Sequence, residues 1–129
     1  MKSVKDMVAA ANTEVAHMPA SDAVALHGHE DVVFVDIRDI RELWREGRVP
    51  GSYHCPRGML EFWIDPASPY AKPIFQSGKR FVFYCAGGQR SALAAKAAQD
   101  MGLQQISHID DGFAGWCRAD LPVEPVEKK

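Results

Sequence analysis

Long apolar runs are missing from this 129-residue chain. None approaches the roughly 20 residues that a membrane-crossing helix needs. The first residues, Met1-Lys2-Ser3-Val4-Lys5-Asp6, lack the continuous apolar core of a secretion signal. Charge of one sign is missing too. A net charge of −2 leaves no basic field for nucleic acid and no acidic tail. Cysteine is scarce: Cys55, Cys85 and Cys117 are odd in number and far apart, with no Cys-x-x-Cys pair. This argues against a disulfide framework and against a structural zinc site, and it fits reduced thiols in a cytoplasm. There is no internal repeat and no low-complexity segment. What is present is ordinary for a globular chain, 47% hydrophobic and 25% charged, and long enough for one domain with a real core.

The stretch Phe81-Val82-Phe83-Tyr84-Cys85-Ala86-Gly87-Gly88-Gln89-Arg90-Ser91 organises the rest. Phe81 to Tyr84 are aromatic or β-branched, which suits a strand covered on both faces. Ser91 to Met101 is rich in Ala, Leu, Lys and Gln and reads as a helix that stops at Gly102. The joint between them carries the chemistry. A helix start leaves backbone N–H groups without partners and carries partial positive charge. Gly87 and Gly88 let the preceding loop curl, so that more N–H groups turn inward into a cup for an anion. Cys85, at the rim or floor of that cup, should be stabilised as a thiolate and become a nucleophile at neutral pH. Arg90 adds a fork of donors suited to an oxyanion. Ser91 offers a hydroxyl to the sulfur or a cap to the helix.

Strands and helices alternate along the chain. Val4 to Ala11 reads as a short helix, Val15 to Met18 as an edge strand ended by Pro19, and Ser21-Asp22 as a helix start. His17, His27 and His29 show no ligand spacing and read as surface or packing residues. Asp31 to Asp36 is an unbroken apolar strand that ends in Asp36-Ile37-Arg38 at the carboxyl edge of a sheet, where ligands gather in α/β folds. Asp36 and Arg38 read either as a buried ion pair that ties the loop or as support for the cysteine loop. Asp39 caps a helix that closes at Gly47. Met59, Phe62 and Trp63 read as core residues or as the lining of a mouth. Arg57 is a candidate second cation. Gln105 to Asp110 is a further strand, and Asp111 to Trp116 turns into a short helix. Cys55 and Cys117 read as buried apolar residues, with a resolving-thiol role for Cys55 as the alternative. These elements predict an α/β, three-layer domain over residues 14–122, with a mostly parallel central sheet and helices on both faces. A helical extension precedes it over 1–13, and a polar tail follows over 123–129.

Three stretches together resemble the rhodanese-like single-domain sulfurtransferases: Cys85 to Ser91, Asp36-Ile37-Arg38 with Glu46 to Ser52, and Asp111 to Trp116. The resemblance covers about Val15 to Leu121. The family usually has His-Ile-Pro-Gly-Ala where this chain has Arg48-Val49-Pro50-Gly51-Ser52. It often has Gly-Gly where this chain has Asp111-Gly112.

The resemblance implies a double displacement. Cys85 takes the outer sulfur of a donor such as thiosulfate, sulfite leaves, and a thiophilic acceptor then takes the sulfur from the Cys85 persulfide. On this reading Cys85 is catalytic. Ala86, Gly87, Gly88, Gln89, Arg90 and Ser91 bind the substrate, with loop amides stabilising the persulfide and Arg90 holding the donor's oxyanion end. Asp36, Arg38 and Arg57 support the site. No metal or organic cofactor is implied. The expected partners are a small-molecule sulfur donor and acceptor, or a thiol protein as acceptor, for a monomer or homodimer. Four residues lie between Cys85 and Arg90. The related cell-cycle phosphatases use one more, so this cup should suit a single sulfur better than a phosphate. The alternatives are a non-catalytic binding or regulatory module and a small phosphatase or arsenate reductase.

Overall fold

A computed structural model describes residues 1–129. In chain order the elements are α1 (Val4–Glu14), β1 (Ala16–Met18), α2 (Ala20–Ala23), β2 (Val32–Asp36), α3 (Ile40–Glu46), β3 (Tyr53–His54), α4 (Leu60–Ile64), β4 (Arg80–Tyr84), α5 (Gln89–Asp100), β5 (Ile106–Ile109) and α6 (Gly112–Arg118). The five strands form one sheet in the order β1-β5-β4-β2-β3, with every pair parallel. No helix is long and apolar enough to cross a membrane.

Side-chain alternation along β4 builds the two cores. Phe81, Phe83 and Cys85 point to one face and pack with Ala94, Ala95 and Ala98 of α5 and Leu60 and Ile64 of α4. Val82 and Tyr84 point to the other and pack with Ala20, Ala23, Phe113 and Trp116 of α2 and α6. A strand buried on both faces cannot alternate apolar with polar, which is why Phe81 to Tyr84 is continuously apolar. The same alternation places Cys85 on the α5 side.

The local starts and stops follow their sequence signals. Ser3 caps α1 through the Asp6 amide at 3.0 Å. Asp39 and Glu42 form a reciprocal capping box on α3, and Gly47 closes it at φ +82°. Two boundaries differ from expectation. Helix α1 runs to Glu14, because its last turn is anchored: Ala11 is buried and Gln99 of α5 donates to the Glu14 carbonyl at 2.9 Å. Helix α5 starts at Gln89, because Gly88 at φ +97° performs the turn, so Ser91 lies in the first turn and does not cap.

The expected polar tail is tied down. Glu124 exchanges backbone hydrogen bonds with Arg48, and its carboxylate meets the Arg48 guanidinium at 2.6 Å. Trp116 donates its indole N–H to the Pro122 carbonyl. Cys117 is exposed, not buried beside Trp116 as expected. Phe113 and Trp116 sit three apart on the inner face of α6, which leaves Cys117 on the outer one.

Candidate active site

Strand β4 delivers Cys85 to the carboxyl edge of the sheet. The thiol lies at the floor of the loop, 1% exposed. The Gly88 amide donates to Cys85 Sγ at 3.1 Å and the Ser91 amide at 3.4 Å. The thiol in turn donates toward Ser91 Oγ at 3.6 Å. Two of the loop amides, those of Gly88 and Ser91, thus point at the sulfur. The loop's curvature depends on Gly88 more than on Gly87. A Cβ on Gly88 would lie 2.0 Å from the Asp110 carbonyl oxygen, whereas one on Gly87 would meet nothing within 4 Å.

The third sequence stretch acts as a clamp beneath the loop. The Phe113 amide donates to the Cys85 carbonyl at 2.8 Å and the Ala114 amide to the Ala86 carbonyl at 3.0 Å. With its carbonyls held by α6, the loop keeps amides for the sulfur side. Gly112, at φ +64°, is required by this approach: a Cβ there would lie 2.5 Å from the Ala86 oxygen. Asp111 accepts from the Ala20 amide at 2.8 Å and so fixes the start of α6 against α2.

Arg90 is not a free cation. Its guanidinium meets Glu42 in a two-pronged pair at 2.8 and 3.0 Å. Hydrogen bonding to Arg90 holds the Glu42 carboxyl below its usual range, and the same contact raises Arg90. The expected grip on a donor's oxyanion thus has a competitor in place. Arg57 pairs with Glu61 through one guanidinium nitrogen at 2.8 Å, one helical turn on.

Asp36 and Arg38 form the buried pair that the first of the two sequence readings describes. Both side chains are fully buried and meet at 2.7 Å. Arg38 also donates to the Gly47 carbonyl at 2.7 Å and stacks on the Phe113 ring, its guanidinium carbon 4.4 Å from the centroid. Burial opposes the charge, but the hydrogen bonds and charge of Asp36 outweigh it and hold Arg38 above its ordinary value. Because Phe113 also clamps Cys85, this pair supports the loop at one remove. Tyr84 ties in the turn of the second stretch: its hydroxyl takes the Val49 amide at 3.1 Å and meets Ser52 Oγ at 3.0 Å.

Cys55 is fully buried in the same core as Cys85. Burial pushes its thiol up to about 12, a poor setting for a resolving nucleophile. Trp63 packs on Tyr53 and carries Lys72 over its ring, whereas Phe62 is exposed against Tyr70. Clefts of about 260 and 510 Å³ lie around Gly78, Lys79 and Gln105, at the amino edge of the sheet and away from Cys85.

Sequence reasoning passed over His108 and Asn12. Ser91 Oγ lies 2.9 Å from His108 Nδ1, and His108 Nε2 lies 2.7 Å from Asn12 Oδ1 of α1. The signal was available: Ser107 and His108 are polar residues inside a strand, β5, that is buried at every position.

Fold and site together define an α/β protein whose parallel sheet ends in a cysteine held by a short loop at a helix start. The rhodanese-like domain profile matches residues 19–119, and the chain belongs to that family. The thiosulfate sulfurtransferase GlpE of Glaesserella parasuis is 29% identical over 96 residues, which span 74% of this chain and 81% of the relative. The polysulfide-sulfur transferase homodimer of Wolinella succinogenes has a TM-score of 0.70 at 26% identity, over 97% of this chain and 88% of that one. A Rhodopseudomonas palustris protein of unknown function, described as a possible tyrosine phosphatase, has a TM-score of 0.94 at 60% identity, over 96% of both chains.

Proposed function

We propose that this protein moves a sulfane sulfur from thiosulfate or a persulfide donor to a thiophilic acceptor, cyanide or a thiol, through a persulfide on Cys85. One observation carries the reading: the Gly88 and Ser91 amides converge on Cys85 Sγ inside a loop with only four residues between Cys85 and Arg90. In the first half-reaction the thiolate attacks the outer sulfur of the donor. With thiosulfate, the Sγ–S bond forms as the donor S–S bond breaks, and sulfite leaves with the bonding pair. The outer sulfur keeps a negative charge, which loop amides stabilise because they are already aimed and need no reorganisation. In the second half-reaction the acceptor takes that sulfur and the thiolate returns. The scheme needs no metal or organic cofactor. Because Glu42 occupies Arg90, a donor's oxyanion must compete with a carboxylate, which favours donors with little charge at that end. A cytoplasmic setting, with its reduced thiols, would supply both persulfide donors and thiol acceptors.

The test is intact mass after incubation with thiosulfate. The wild-type protein should gain one sulfur, released by cyanide, and the Cys85→Ala protein should gain none. A gain that survives the substitution, or no gain with any donor, would sink the proposal.

The description of the Rhodopseudomonas relative favours a second reading, a small phosphatase on the same cup. The four-residue closure speaks against it, since a misfit near 1 Å costs about 100-fold in rate. Aryl phosphate hydrolysis that depends on Cys85 would revive it.

A further inference from the structure

A chain of polar contacts, buried up to His108 and ending at half-buried Asn12, runs from the candidate nucleophile to the N-terminal helix: Cys85 Sγ, Ser91 Oγ, His108 and Asn12, at 3.6, 2.9 and 2.7 Å. Cys85, Ser91 and His108 are at most 1% exposed. An amide oxygen only accepts, so Asn12 Oδ1 facing the ring would place the His108 proton on Nε2. Nδ1 is then an acceptor and takes the Ser91 hydroxyl proton. The serine oxygen therefore turns a lone pair, not a proton, toward Cys85.

We propose that His108, locked by Asn12, is a positioning residue that withholds the Ser91 hydroxyl proton from the Cys85 sulfur and lets it return when the Cys85 proton is passed along the chain. Transfer along the chain balances without an outside partner. The Cys85 proton passes to Ser91 Oγ as the Ser91 proton passes to His108 Nδ1. This leaves a thiolate that accepts from Ser91 and an imidazolium that donates from both nitrogens. The groups around the ring set how costly that state is. His17 of β1 lies 5.8 Å away between centroids and disfavours a charge on His108, while Asp110, bound to His17 at 2.8 Å, favours it. Burial and His17 hold His108 well below its usual value, at about 4, so the neutral, withholding form prevails near pH 7.

The inference rests on Cys85 as the sulfur carrier, but its test reads the thiol itself and needs no turnover. Iodoacetamide alkylation of Cys85 is followed against pH in wild type, His108→Leu, Ser91→Ala and the double variant, with Cys55→Ser and Cys117→Ser in all four. His108→Leu should free the hydroxyl for the sulfur and raise the rate at pH 6 about tenfold, the worth of one hydrogen bond to a charged group. The double variant should match Ser91→Ala. An unchanged profile in His108→Leu, or the same rise without Ser91, overturns the proposal. Should His108→Leu fail to fold, nitrogen NMR of wild-type His108 decides. The Nε2–H tautomer at pH 7 is expected, and the Nδ1–H tautomer or an imidazolium overturns it. A missing persulfide with the alkylation pattern intact would count against the sulfur-transfer reading alone.

Discussion

Replacing Gly88 by Ala should cripple the loop, whereas the same change one residue earlier should be almost silent. Gly88 sits at φ +97°, where an L side chain costs about 1 kcal/mol. Its new Cβ would also lie 2.0 Å from the Asp110 carbonyl oxygen, where ordinary contact begins at 3.4 Å. Both atoms belong to backbone, so one segment must move by more than 1 Å, at about 1–3 kcal/mol for overpacking. The expected loss is about 3 kcal/mol, a drop in melting temperature of about 10 °C for a chain of this size. The Gly88 amide is 3.1 Å from Cys85 Sγ, so the same shift misaims it, and a displacement near 1 Å costs about 100-fold in rate. Gly87 is exposed, has no positive φ, and has nothing within 4 Å of a built Cβ. Gly87→Ala should stay within about 0.5 kcal/mol. Thermal unfolding followed by circular dichroism and rapid-quench mass spectrometry of persulfide formation measure the two effects. A Gly88→Ala protein with wild-type melting and rate would refute the geometry, as would equal damage at Gly87.

Three further outcomes are expected. Arg38→Met leaves Asp36 buried without its partner and should cost about 3–5 kcal/mol in urea unfolding, while Asp36→Leu with Arg38→Met should recover most of it. Stability should fall with acidity through His108. Its folded value near 4 lies below the unfolded 6.5, so the unfolded chain binds the proton first, and about 3 kcal/mol is present above pH 6.5 and lost as pH falls toward 4. His108→Gln should flatten that part of the pH curve, and an unchanged slope would refute it. Glu42→Gln keeps the capping box but frees Arg90, so KM for thiosulfate should fall about tenfold, the worth of one hydrogen bond to a charged group, with kcat little changed. An unchanged KM would mean that Arg90 does not meet the donor.

The parallel sheet was legible because its central strands, β2 and β4, are short, mainly apolar and followed by helix starts. β2 and β4 read directly, since Val32 to Val35 and Phe81 to Tyr84 are unbroken apolar runs. Cys85, Gly88 and the helix start were legible as a local motif within seven residues. What was not legible is long-range. Arg90 reads as an open fork until α3 places Glu42 opposite it, 48 positions away. Gly112 reads as a turn glycine until the Ala86 carbonyl is seen to need its space. His108 goes unread until α1 supplies Asn12, 96 positions away. Arg48 reads as a departure from a pattern until the tail supplies Glu124.

Two carbonyls at the root of the cup, those of Cys85 and Ala86, are latched by the Phe113 and Ala114 amides. Ring and latch therefore share one run of backbone. Widening the ring by a residue to admit a bulkier oxyanion would pull on the latch, so a change of substrate size calls for two distant segments to be redrawn in concert. A single inserted residue would be expected to unseat the far helix before it enlarged the opening.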